Sequence, residues 1–235
     1  MSRSIRRLAW CFLAHLVGVL TFGADESPTE LFAHLRDLPQ KEGFGFSSYY
    51  DMHGNPNDEL RALSIGRFRF TAAICAEVNA MNSRDHPEYV AALYGVLARV
   101  CDPKSIPWLE QRLAGTHRNE VYSDWLPAFG TSEKWLTGPD EWSAFFERWV
   151  SGETRQQYRT RIFQTMTLLQ CPRTLNFFSG KERDSATQGE DLLIARGYLE
   201  EHGEKPADGR LKEIIDQIGG SASGKKSSYG MLAHW

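Results

Sequence analysis

Residues 139–150 read PDEWSAFFERWV, and this stretch decides the fold class. Trp142, Phe145, Phe146, Trp149 and Val150 stand at i, i+3, i+4, i+7 and i+8, so all five fall on one face of a helix with 3.6 residues per turn. Pro139 suits the first helical position, where its missing N–H is not needed. Ser151-Gly152 then breaks the pattern.

The same period continues on either side. Toward the C-terminus, Glu153 to Gln170 carries Tyr158, Ile162, Met166 and Leu169 on one face and stops before Pro172. Thr174 is expected to cap one more turn through Phe178, and Gly180 to Gln188 to form a polar loop. Leu192 to Glu201 and Leu211 to Ile218 complete the expected helices. Toward the N-terminus, Val121 to Phe129 is expected to be partly helical, limited by Pro127. Tyr89 to Val100 forms another amphipathic stripe after His86-Pro87, and Asp102-Pro103 separates it from the stripe Ile106, Leu109, Leu113. Asp58 to Met81 predicts one long helix or two short ones meeting near Gly66. Ser27-Pro28-Thr29-Glu30 is a capping box opening a helix over 28–38. Strand signals are nearly absent, and roughly nine helices joined by short turns predict an all-α fold built of consecutive antiparallel pairs.

His86 to Gly115 is similar to a single HEAT-like helical repeat of the phycobilisome-lyase type. The residues that carry the resemblance are Leu97-Ala98-Arg99-Val100 closing the first helix, then Asp102-Pro103, Ile106-Pro107, Leu109 and Leu113. Asp caps the second helix, Pro enters its first turn, and the Ile/Leu stripe packs back on the first helix. Cys101 stands where such repeats usually carry Gly. Pro139-Asp140 and Pro206-Ala207-Asp208 also open helices, and the spacings of 36 and 67 from Pro103 to Pro139 to Pro206 suit one and two repeats. The resemblance implies a short, degenerate HEAT-like α-solenoid or compact α-α superhelix that presents a face to another protein. It implies scaffolding or binding, not lyase activity.

The first 24 residues read as a targeting segment. Arg3, Arg6 and Arg7 precede an apolar run from Leu8 to Phe22 that is too short to span a bilayer, which needs about 20 apolar residues. Cleavage near Gly23 or Ala24 would leave a secreted or periplasmic protein, with residues 25–218 as the helical domain and 219–235 as a flexible Gly/Ser/Lys tail. No stable membrane insertion is expected after cleavage. The 235 residues are 41% hydrophobic and 24% charged, with a formal charge of −3 that becomes −6 once the three arginines leave. An acidic surface repels phosphate backbones, so nucleic acid is not an expected partner. Removing Cys11 leaves Cys75, Cys101 and Cys171, which permit one disulfide at most and show no zinc spacing. Neither a metal nor a cofactor is expected. Gly219, Gly224 and Lys225 imitate a phosphate loop, but Lys226 stands where Ser or Thr is required.

Three places remain where function could reside. The aromatic-rich segment 39–58 holds Asp51 and His53, a pair suited to general acid–base work and hence to a hydrolase acting on an envelope or extracellular polymer. Trp108, Trp125 and Trp135 lie off the clear helical stripes and are candidates for exposed contact with a glycan or peptide. The apolar end, Tyr229 to Trp235, is the third. The leading expectation is a protein partner, with catalysis and non-catalytic glycan or peptide binding as the alternatives.

Overall fold

The computed structural model describes residues 27–38, 49–50, 55–129 and 138–203. The described residues are helical, with one isolated antiparallel bridge between Tyr50 and Pro56 and no strand. They fall into two units that divide between Thr137 and Gly138.

The first unit begins with Pro28–Asp37 (α1), where both halves of the capping box form. Ser27 Oγ accepts from the Glu30 N–H at 3.3 Å, and Glu30 Oε2 accepts from the Ser27 N–H at 3.1 Å. Asn57 caps Asp58–Ile65 (α2) through its side-chain oxygen. A 3₁₀ turn over Arg67–Arg69 leads to Thr71–Ala80 (α3), so the 58–81 stretch is two helices meeting at Gly66. Pro87–Val100 (α4) follows, and ten of its fourteen residues are buried. It packs against α2 and α3 and against residues 121–129. It ends at Cys101, whose φ of 50° and ψ of 41° make the left-handed turn that Gly usually supplies. The Cys101 thiol donates to the Ala98 carbonyl at 2.8 Å, which helps hold that turn. Gly95 lets the chain return closely over α4: a Cβ there would lie 2.7 Å from the Tyr50 hydroxyl.

After α4, a 3₁₀ turn at Pro103–Ser105, capped by Asp102, leads into Ile106–Ala114 (α5). The next run is Arg118–Glu120 (α6), a π-helical turn over Val121–Trp125, and Leu126–Phe129 (α7). Pro127 has no N–H to give to the carbonyl four residues back, which removes one α-helical bond from this run.

The second unit contains Pro139–Gly152 (α8), Gln156–Met166 (α9), Pro172–Arg183 (α10) and Gly189–Glu201 (α11). The aromatic stripe of α8 is buried as expected, with Phe145 and Phe146 centroids 5.2 Å apart and Phe146 stacked on Trp149. Helix α10 corrects the sequence expectation. It runs unbroken through Gly180 to Arg183, because Phe178 packs inward and Glu182 is buried 3.6 Å from Arg196 of α11. Glycine inside a helix costs only about 1 kcal/mol, which such contacts outweigh.

The four helices pack in a regular order. Helix α8 meets α9 and α10, and α11 meets α9 and α10. Pro139 and Pro172, the first residues of α8 and α10, are 33 apart, and so are Gln156 and Gly189, the first residues of α9 and α11. Residues 33 apart hold like positions: Phe145 and Phe178, Ile162 and Ala195, and Met166 and Leu199 are all buried. Two hairpins are thus laid one on the other, first helix on first and second on second.

Two outcomes test this packing. Phe145→Ala leaves a cavity in a layer with no spare atoms and should destabilise the second unit by about 3–5 kcal/mol, measured by urea denaturation. Cys75, Cys101 and Cys171 are buried, and burial beside Asp102 pushes the Cys75 thiol up to about 12. Mass spectrometry after alkylation should therefore find all three unmodified in the native protein and modified in denaturant.

Candidate functional site

Among the described residues, each unit holds a notable concentration of polar chemistry. In the first unit it is centred on Glu120, where α6 meets the π-helical turn. Glu120 Oε1 accepts from Ser83 Oγ at 2.7 Å and lies 2.9 Å from His117 Nδ1. Its Oε2 accepts from the Tyr94 hydroxyl at 3.1 Å and faces Arg112 Nη2 at 3.9 Å. Residues of four consecutive segments thus converge on one carboxylate. Burial alone would push this carboxyl up, but hydrogen bonds from His117, Ser83 and Tyr94, with the His117 charge, hold it below its ordinary value. Burial and the neighbouring Glu120 charge push Asp124 the other way.

Arg112 is buried, donates to the Val78 carbonyl at 3.2 Å, and lies over Trp108 at 5.1 Å. Trp108, one of the three tryptophans singled out, is half-buried here, with its indole N–H on Asn79 Oδ1 at 3.0 Å. Trp125 is fully buried against Phe129 at 4.9 Å, which corrects its expected exposure. It sits on the inner side of the π-helical turn, a register that a 3.6-residue period misplaces. Asp51, His53 and Trp135 lie outside the described residues, as do the signal-like segment and the tail. Among the described residues, no group of three or more His, Cys, Asp or Glu side chains is placed to hold a metal ion. No described helix is long and apolar enough to cross a membrane.

In the second unit the chemistry lies in an open groove of about 600 Å³ across α8 and α10, lined by Asp140, Glu147, Arg173, Asn176 and Phe177. Arg173 spans to Glu147 with two parallel bonds, Nε to Oε1 at 2.9 Å and Nη2 to Oε2 at 2.7 Å. That pairing holds the guanidinium pKa above its ordinary value, with Asp140 adding to the effect. Beneath it, Thr174 Oγ1 donates to Ser143 Oγ at 3.0 Å, and Ser143 Oγ donates to Glu147 Oε1 at 3.3 Å. A buried hydroxyl chain therefore fixes the position of Glu147. Phe177 forms the apolar part of the groove and is braced from behind by Phe163 and Phe178 at 5.7 and 5.5 Å. Asp140 and Asn176 are exposed and make no hydrogen bond with the described residues.

The second helices are tied separately. Arg159 Nε donates to Asp191 Oδ2 at 2.7 Å, and Thr160 Oγ1 donates to Asp191 Oδ1 at 2.8 Å. These residues serve packing: the partly exposed Arg159 guanidinium is committed to the buried Asp191 carboxylate. Neither site carries a recognisable motif in the sequence. His117 and Glu120 are three apart on one helical turn, a local signal, whereas Ser83 and Tyr94 are 37 and 26 residues from Glu120.

The Glu120 centre predicts a pH dependence with a definite sign. A carboxyl held below its unfolded value of 4.5 contributes stability that is complete above that value and is lost as pH falls through the folded value. Asp124, raised from 3.8, opposes folding increasingly as pH rises from there through its folded value. Glu120→Gln should cost about 1–3 kcal/mol at pH 7 in urea denaturation. The gap to the parent should narrow as pH falls below 4.5 and the Glu120 carboxylate takes up its proton; a gap that stays the same at every pH would show that charge plays no part.

With this geometry set beside known proteins, the chain matches no family model, no curated protein and no solved structure.

Proposed function

We propose that the chain is an exported helical-repeat protein that works by protein–protein contact, with the groove across α8 and α10 as its contact surface. The observation that carries this is the stacking of α8–α9 on α10–α11 at a constant offset of 33 residues. A repeat of that length is one helical hairpin, and stacked hairpins bury a continuous core while aligning equivalent helices side by side in a surface. Pro172 supplies the term missing from the sequence spacing, since Pro103, Pro139, Pro172 and Pro206 follow one another at 36, 33 and 34. The similarity of His86 to Gly115 to a HEAT-like repeat supports the same architecture from the other unit.

Export rests on the basic and apolar segment that opens the chain. A groove holding two carboxylates, one guanidinium, an amide and a phenyl ring suits a polypeptide, which presents amides, charges and apolar side chains together. The glycan alternative loses Trp125 to the core, and the hydrolase alternative depends on Asp51 and His53, outside the described residues.

Site-specific photo-crosslinking tests the proposal. A benzophenone side chain placed at Asn176 should capture protein adducts several-fold more efficiently than one at Gln157, an exposed residue of α9 outside the groove. Equal yields at the two positions, or adducts containing only carbohydrate, would overturn it.

A further inference from the structure

We infer that the groove across α8 and α10 selects an extended peptide segment bearing a lysine or arginine side chain; this rests on the protein-contact function proposed above and adds the chemistry of the ligand. Charge in the groove is unequal. Asp140 and Glu147 contribute two carboxylates and Arg173 one guanidinium. The guanidinium fork is committed to Glu147 through both of its bonds, at 2.9 and 2.7 Å. Asp140 is near enough to raise the Arg173 pKa but takes no hydrogen bond from it. Among the described lining residues, the uncompensated charge is therefore negative and sits at Asp140.

A second cation near the groove, among the described residues, is already answered. Lys181, whose ammonium lies 5.6 Å from the Phe177 ring centroid, is 3.9 Å from Asp184. That contact also shows that the Phe177 ring accepts a cation on its face. An incoming lysine or arginine would lay its aliphatic stem along Phe177 and bring its charged head to Asp140. Asn176, one helical turn from Arg173, offers an amide N–H₂ and a carbonyl with no partner among the described residues, the pair that reads a peptide backbone amide. The Ser143–Thr174 hydroxyl chain holds Glu147 from beneath, so the site is preformed. An acidic ligand would meet Asp140 with a like charge and find Arg173, the one cation among the described lining residues, already taken.

The test uses the whole exported chain and three fluorescein-labelled heptapeptides, Gly-Ser-Gly-X-Gly-Ser-Gly, with X as lysine, norleucine or glutamate. Anisotropy titration in low salt should show the lysine peptide binding at least ten-fold more tightly than the other two, with affinity falling as salt rises. Asp140→Asn should remove that preference. Asn176→Ala should weaken all three peptides alike, because it removes a backbone contact. Both residues are exposed, so circular dichroism should confirm unchanged folding of both variants. Equal binding of lysine and norleucine peptides, tighter binding of glutamate, or no binding of any peptide at millimolar concentration would overturn the inference. Crosslinking of protein at position 176 would still stand in those cases and would separate a wrong ligand class from a wrong function.

Discussion

Helix α4 is apolar nearly all round, and a helix of that kind is stable only when enclosed. The first unit is organised by that constraint. Helices α2 and α3 cover it from the N-terminal side, and the π-helical turn and α7 cover it from the C-terminal side. Enclosure brings Tyr94 and Arg112 out of water together with Glu120, and buried polar groups must then find partners within the protein. They find each other. The Glu120 centre follows from covering α4 with a chain that carries a carboxylate, a hydroxyl and a guanidinium at the places where it crosses.

The second unit solves its burial problem by repetition. The aromatic face of α8 is too broad for one neighbour, and it is shared between α9 and α10. Polar ties keep the layers in register: Ser143 with Thr174 between the first helices, and Asp191 with Arg159 and Thr160 between the second. Removing one member of such a buried set leaves its partner unanswered, at a cost larger than the pair itself contributes. Register is thereby held, and with it the spacing of Asp140, Glu147, Arg173 and Asn176 across the groove. The fold positions these residues on rigid helices instead of loops, which suits a recognition surface.

Much of this was legible in the sequence where the signal is local. The period in 139–150 and the capping box at Ser27 come from neighbouring residues and appear as expected, and of the two readings of 58–81 the structure takes the break at Gly66. The left-handed turn after α4 was legible as a place, and Cys101 fills it with its thiol on the Ala98 carbonyl. Where the outcome depended on distant contacts, the letters misled. Gly180 looked like a loop until Glu182 met Arg196, and Trp125 looked free because the π-helical turn shifts its register.

The sequence by itself determined that the chain is helical, where most of its helices start, and which faces are apolar, because helix periodicity and capping act within a few residues. Only the tertiary structure decided that α8–α9 lies on α10–α11 at a 33-residue offset, that Glu120 gathers Ser83, Tyr94 and Arg112, and that Asp140 and Asn176 share a groove. Most of those outcomes depend on side chains 26 to 37 residues apart meeting in space. Burial brings such groups together, and no local pattern records which of them will meet.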